Sequence, residues 1–178
     1  TPPLHGSLVS KSSGIVSSSR GVGDGQWPPL VKTLADLLGS MGVETHLVGG
    51  AVRDILLGLD TRDIDLLVRA DTLELGTELA RCLGGRRVVL DEARNIVRVV
   101  LPNGDGPSYV DLSRLDGSLM EDLRRRDFTI DAMAMQLPDA VGGASGEEVI
   151  DPGRGLSDLR NGVIRSVAES VFREDPAR

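Results

Sequence analysis

The chain has 178 residues, enough for one domain with a substantial core, or one domain and the start of a second. Hydrophobic residues make up 40% and charged residues 26%, a globular balance, but one Trp, one Tyr and two Phe leave few rings to stack on single-stranded bases. One Cys excludes an internal disulfide, no apolar run approaches the roughly 18 residues of a membrane span, and a net charge of −7 argues against nucleic-acid binding through bulk charge. Cysteine usage of this kind suits a reducing compartment, and a cytoplasmic location is expected. Of the 20 basic residues all but Lys11 and Lys32 are arginine, the side chain whose fork matches phosphate and carboxylate.

Residues 1–26 are Gly, Ser and Pro with no apolar periodicity, and are expected to form a disordered tail. Leu30, Leu34, Leu37, Leu38 and Met41 then recur at helical spacing behind Pro28-Pro29, with Gly42 as the stop. Thr45 to Val48 reads as a strand entering Gly49-Gly50, followed by a helix from Ala51 to Leu57 that ends at Gly58. Ile64 to Val68, led by Asp63, reads as a strand, and Leu73 to Leu83 as an amphipathic helix closed by Gly84-Gly85. Arg87 to Leu90, Ile96 to Leu101 and Tyr109 to Leu112 read as strands, the last two joined by a turn over residues 103–107. A helix is expected over Leu119 to Arg126, then a helix or helix–strand junction over Thr129 to Gln136 and a hairpin-like loop over 138–147. Val149-Ile150 is a candidate strand, Leu156 to Asn161 a short helix, and Ala168 to Arg173 the start of another. The fold class is α+β, one mixed sheet of short strands with helices on one side, followed by the start of a helical segment. Residues 27–150 are taken as the main domain and 151–178 as a hinge and the beginning of a neck.

Four groups of residues could carry chemistry. Asp63 and Asp65 lie two apart on a strand and therefore share a face. Two carboxylates so placed repel unless a cation lies between them, and Mg²⁺, with its oxygen ligands and retained waters, suits them. A solvated strand edge would give the same letters. Gly49-Gly50 between a strand and a helix would let backbone N–H groups approach a phosphate, and Arg53, one turn on, could reach the same anion. The plain alternative is a tight turn with Arg53 paired to an acid. Asp111, between apolar residues on a strand, is either a solvated end or a third carboxylate beside the first two. Arg124, Arg125 and Arg126 cannot all face one way on a helix, and Arg126 with Asp127 could form a rigid pair presenting donors to a ribose or phosphate; the plain alternative is a surface charge cluster. His46 is expected beside the pocket, and Cys82 is expected to be a buried helix residue.

In order along the chain, LVGGAVRDILLG, RDIDLLV, YVDL, EDLRRRDFTIDAMA, IDPGRGLSDLRNGVIR and FREDPAR resemble the class II tRNA nucleotidyltransferases, the CCA-adding enzymes and their bacterial poly(A) polymerase relatives. The resemblance covers about residues 45–178. It implies a polymerase-β-like nucleotidyltransferase head in which Gly49 and Gly50 cradle a nucleoside triphosphate and Arg53 contacts its phosphates. It implies Mg²⁺ on Asp63 and Asp65, Asp111 as the third catalytic carboxylate, and Arg126 with Asp127 at the ribose. Asp175 and Arg178 fall on the motif that reads the base edge. CTP, ATP and the 3′ end of tRNA are the implied partners, with the tRNA gripped mostly by domains beyond the head.

Three departures stand out. The sequence stops at Arg178 inside the neck motif, so a catalytic-head fragment is expected, whose activity without further domains is in question. Only nine residues, Leu112 to Met120, separate Asp111 from Glu121, and in the resembled family a shortened loop here goes with adding CC but not the final A. Asp131 stands where the family usually has Asn. Two other readings stay open from the sequence: a poly(A) polymerase, and a non-catalytic nucleotide-binding module.

Overall fold

A computed structural model describes residues 15–16, 27–61, 63–102, 109–137 and 149–168. Proline at the first helical turn starts α1 (Pro29–Ser40), which buries Val31, Leu34, Ala35 and Leu38 along one stripe. β2 (Thr45–Val48) leads through Gly49 into α2 (Gly50–Leu57), which stops at Gly58 in the left-handed conformation. β3 (Asp63–Val68) is followed by α3 (Thr72–Leu83). The Asp71 carboxylate caps α3 by accepting the Leu73 and Glu74 N–H groups at 2.9 and 3.0 Å, a contribution of about 1 kcal/mol. β4 (Arg86–Asp91), β5 (Ile96–Val100) and β6 (Tyr109–Arg114) form a meander, and Ser118 with Glu121 makes a capping box for α4 (Leu119–Arg124). A 3₁₀ turn at Thr129–Asp131, β7 (Ala134–Gln136), β8 (Val149–Ile150) and α5 (Gly155–Arg160) complete the order, with β1 (Ile15–Val16) pairing to β8.

The strands form one mixed sheet in the order β1-β8-β7-β2-β3-β6-β5-β4. The β3–β6 pair is parallel and the rest are antiparallel. Alternation divides the two faces. Leu47, Ile64, Leu66, Val68, Val97, Val99, Val110 and Leu112 join α1, α2 and α3 in the main core. The opposite face carries Val48 and Leu67, which pack with Leu115, Leu123 and Ala134 beneath α4. The three long helices therefore lie on one side, as expected, while short α4 covers part of the other and leaves the start of β3 open there. Truncating a fully buried Leu66 or Leu112 to Ala should cost about 2–5 kcal/mol.

Two expectations are corrected. The helix over Leu119 to Arg126 ends at Arg124, because the Arg125 and Arg126 N–H groups turn back to the carbonyls of Asp122 and Leu123, three residues earlier. Cys82 is exposed rather than buried. It falls outside the stripe of Leu75, Gly76, Leu79 and Ala80 that α3 buries. The 3₁₀ turn followed by β7 is the helix–strand junction read over 129–136. The expected turn at 103–107, the loop at 138–147, the helix from Ala168, and the tail apart from Ile15–Val16 lie outside the described residues.

The segment after β8 is fastened to the domain by buried polar bonds. Asp151 accepts the N–H groups of Gly155 and Leu156 at 2.8 and 3.0 Å, and Asp158 accepts from Thr129 Oγ1 at 2.7 Å and from Arg165 Nε at 3.0 Å. The Arg165 and Thr129 bonds hold the Asp158 carboxyl below the usual carboxylate range. Gly155 packs so closely on the 3₁₀ turn that a Cβ would overlap the Thr129 carbonyl and lie 2.9 Å from Met133 Cγ. Gly155→Ala should therefore destabilise the chain by about 2–3 kcal/mol in urea unfolding, and a loss under 0.5 kcal/mol would contradict this packing.

Candidate active site

The register of β3 against its neighbours assembles the site. Asp65 is paired with Asp111 in the parallel β3–β6 ladder, and with Val48 in the antiparallel β2–β3 ladder. Asp63 is paired with Tyr109. Ile64, Leu66, Val110 and Leu112 point into the main core, so Asp63, Asp65 and Asp111 all lie on the opposite face, where β3 is open. Asp65 is half-buried. Burial first, and the Asp111 charge opposite second, push its carboxyl above the ordinary range, while Arg126 pulls it back.

The glycine turn closes on the same point. Gly49 is buried with φ 71° and ψ −145°, and a Cβ there would lie 3.1 Å from Asp65 Oδ2 and 3.2 Å from Arg126 Nη1. Only a glycine permits this backbone and this approach without strain. Arg126 is further held by Asp122, at 3.4 Å. Gly50 faces Arg53, whose Nη2 would lie 3.2 Å from a Cβ. Arg53 bonds Asp54 at 2.9 Å and Asp131 at 2.6 Å, so the guanidinium is splinted by two carboxylates, one of them at the position noted above as unusual. Beside these lies a cleft of about 490 Å³ lined by Arg125, Arg126, Asp127, Phe128 and Asp131. Arg124 and Arg125 are exposed and Arg126 is half-buried, as expected of three consecutive arginines on a helix end.

Gly49, Gly50, Arg53, Asp63, Asp65, Asp111, Arg126 and Asp127 are thus brought to one region. Asp175 and Arg178 lie outside the described residues. His46 is buried on the site face of β2, paired with Leu67 and Gln136. Burial pushes its imidazole below the ordinary range, and its Nδ1 has no hydrogen-bond partner among the described residues.

Two site residues were not singled out from the sequence. Arg98 on β5 clamps Asp111 with Nε and Nη2 each 2.7 Å from a carboxylate oxygen, and its guanidinium stacks 3.8 Å above the Tyr109 ring. Tyr109 is paired with Asp63 in the ladder, and the Asp63 carboxylate raises its phenol above the ordinary range. The only sequence trace was Arg98 alternating with Val97 and Val99, which places it opposite Asp111 once β5 and β6 are aligned as a hairpin.

The model of the poly A polymerase head domain matches residues 45–105 and 103–165. The chain belongs to this family. Within it, a CC-adding tRNA nucleotidyltransferase of Geobacter sulfurreducens is 36% identical over 150 residues, covering 84% of this chain and 33% of that protein. An A-adding tRNA nucleotidyltransferase of Halalkalibacterium halodurans is 32% identical over 161 residues, 84% of this chain and 36% of that protein. The solved Thermotoga maritima CCA-adding enzyme, complexed with tRNA, aligns with a TM-score of 0.73 at 32% identity over 88% of this chain and 38% of that one. This head thus spans about a third of the length of the curated relatives it matches. No described helix is long and apolar enough to cross a membrane.

Proposed function

We propose that this chain is the catalytic head of a tRNA nucleotidyltransferase, which joins CMP or AMP from CTP or ATP to the 3′ end of tRNA and releases pyrophosphate. The observation that carries the reading is the pairing of Asp65 with Asp111 on an open face, with the Asp65 carboxylate and the Arg126 guanidinium both lying close to Gly49. In this reading residues 27–150 form the head and 151–178 lead through a hinge toward a neck.

Mg²⁺ fits the residues present. Asp65 is destabilised as an anion by burial and by Asp111, and a cation between Asp63 and Asp65 would relieve that repulsion. Among the described residues no three His, Cys, Asp or Glu side chains converge into a closed cage. The fit is therefore to a two-carboxylate site completed by waters and substrate phosphates. A divalent ion held there supplies a lowered pKa for the attacking hydroxyl and charge neutralisation on the phosphoryl oxygens.

The chain's own residues do the rest. Gly49 and Gly50 leave room for the triphosphate at the start of α2, where N–H groups point outward. Arg126 and Arg125 present cationic donors along the cleft, favouring the charge that develops on the phosphates. Asp127 beside Arg126 offers an acceptor for a ribose hydroxyl. Asp175 and Arg178 are assigned to the base edge by resemblance, where a mismatched base leaves polar groups unpaired. Only Leu115–Ser118 connect β6 to α4; by the resemblance, in which a shortened loop here goes with CC addition, this supports CC addition without the final A.

Asp131 competes for the Arg53 guanidinium with any anion bound there and adds a negative charge to the cleft. Asp131→Asn should therefore lower the KM for CTP about tenfold with kcat little changed, roughly 1.4 kcal/mol of uniform binding. A raised KM would mean that Asp131 orients Arg53 rather than restrains it.

The function is tested with the full-length protein that carries this head, on tRNA transcripts lacking CCA and on oligo(A), with each nucleotide supplied singly and the 3′ ends sequenced. Two added C residues on tRNA are expected. Extension of oligo(A) by ATP would instead establish a poly(A) polymerase. Nucleotide binding with no extension of either, unaffected by Mg²⁺, would establish a binding module.

A further inference from the structure

Of the three strand carboxylates Asp63, Asp65 and Asp111, Asp111 is the one that an arginine fork holds among the described residues. Arg98 engages both of its oxygens at 2.7 Å, is paired with Asp111 in the β5–β6 ladder, and stacks its guanidinium 3.8 Å from the Tyr109 ring. The arrangement adjoins the neighbouring carboxylate, because the same Tyr109 is the β6 residue paired with Asp63 in the β3–β6 ladder. Asp65, opposite Asp111, has no such arginine fork on it among the described residues; Arg126 acts on it through its charge. A bidentate arginine fork fixes a carboxylate plane and occupies the two lone-pair directions that face it.

We propose that Arg98 is a positioning residue that withholds Asp111 from the divalent ion: it is a built-in counter-cation, and Asp111 reaches the ion held by Asp63 and Asp65 only when the fork lets go. This rests on the metal assignment made above. Its consequence is that the nucleotide-free head binds divalent ions weakly by design of β5, and that ion entry is coupled to movement of Arg98 off the Tyr109 ring.

The test is Mn²⁺ binding to the nucleotide-free chain, followed by the paramagnetic resonance signal of the free ion, so it does not depend on turnover. Arg98→Gln should tighten Mn²⁺ about tenfold, since it removes a positive charge and frees a carboxylate. Arg98→Lys keeps the charge but cannot form the fork. It should tighten binding at least about threefold, and Tyr109→Leu, which removes the stacking platform, should move affinity the same way by a smaller factor. Unchanged or weaker binding in Arg98→Gln overturns the proposal. So does tightening in Arg98→Gln with wild-type behaviour in Arg98→Lys, because that pattern is long-range charge alone. Asp65→Asn separates the two levels of inference. If it abolishes Mn²⁺ binding while the Arg98 variants do nothing, only the role of Arg98 fails. If neither the wild type nor Arg98→Gln binds, or if binding survives Asp65→Asn intact, the metal assignment fails and the proposal with it.

Discussion

Replacing Asp65 by Asn is expected to lower nucleotidyl transfer by on the order of 10³-fold or more while making the metal-free protein more resistant to heat. The loss of rate follows from the proposed ion site, since the several kcal/mol of charge stabilisation that such an ion supplies would go with its ligand. The gain in stability follows from the structure alone. Burial and the facing Asp111 raise the Asp65 carboxyl above its unfolded value, so the folded chain binds that proton more tightly than the unfolded chain does. Its contribution to stability is complete at pH values below the unfolded carboxylate value and is lost as the pH rises through the raised one. Asn never ionises and escapes that loss. Calorimetric melts in a chelator should therefore place Asp65→Asn above the native chain at pH 7, with the gap closing near pH ~3, where Asp is protonated in both states. A variant that melts lower at pH 7 would mean that Asp65 is a structural hydrogen-bond acceptor. An active variant would remove it from the chemistry.

Gly49→Val is expected to have the second largest effect, and on both stability and activity. Gly49 holds a positive φ of 71° that a β-branched residue resists strongly, at a cost of about 1–3 kcal/mol. The added carbons must also displace Asp65 Oδ2 or Arg126 Nη1, which would lie 3.1 and 3.2 Å from the first of them. A shift of about 1 Å in groups that position reactants can reduce turnover by about 10²-fold. Gly58, also at positive φ but with open space around its Cβ position, is the control. Gly58→Ala should show part of the destabilisation and none of the loss of turnover. Equal activity loss in both variants would show that the turn acts through general stability and not through contact with Asp65.

What could be read from the sequence, and what could not, divides along local and long-range lines. The alternation in Asp63-Ile64-Asp65-Leu66 placed both carboxylates on one face, because strand periodicity is local. Gly42, Gly49, Gly58 and Gly84 all stand at positive φ at the element ends where turns were read. Asp111 was read as a possible neighbour, but its pairing with Asp65 depends on a parallel crossover that spans α3, β4 and β5, and no local pattern sets that register. Arg98 was overlooked for the same reason. An arginine between valines is ordinary on a half-exposed strand, and its partner is specified only by the ladder. Cys82 was misplaced because its side chain type suggested burial, whereas the helical stripe of α3 passes it by. The bond between Arg53 and Asp131 joins residues far apart in the chain, so the departure at 131 was visible in the sequence but its consequence was not.

The most direct test of the central claim is anomalous diffraction from crystals of this head grown with Mn²⁺ and a non-hydrolysable CTP analogue. An anomalous peak is expected within about 2.2 Å of carboxylate oxygens from Asp63 and Asp65, with the triphosphate running past Gly49 toward Arg126. A nucleotide bound elsewhere, or manganese that avoids both aspartates, would contradict it.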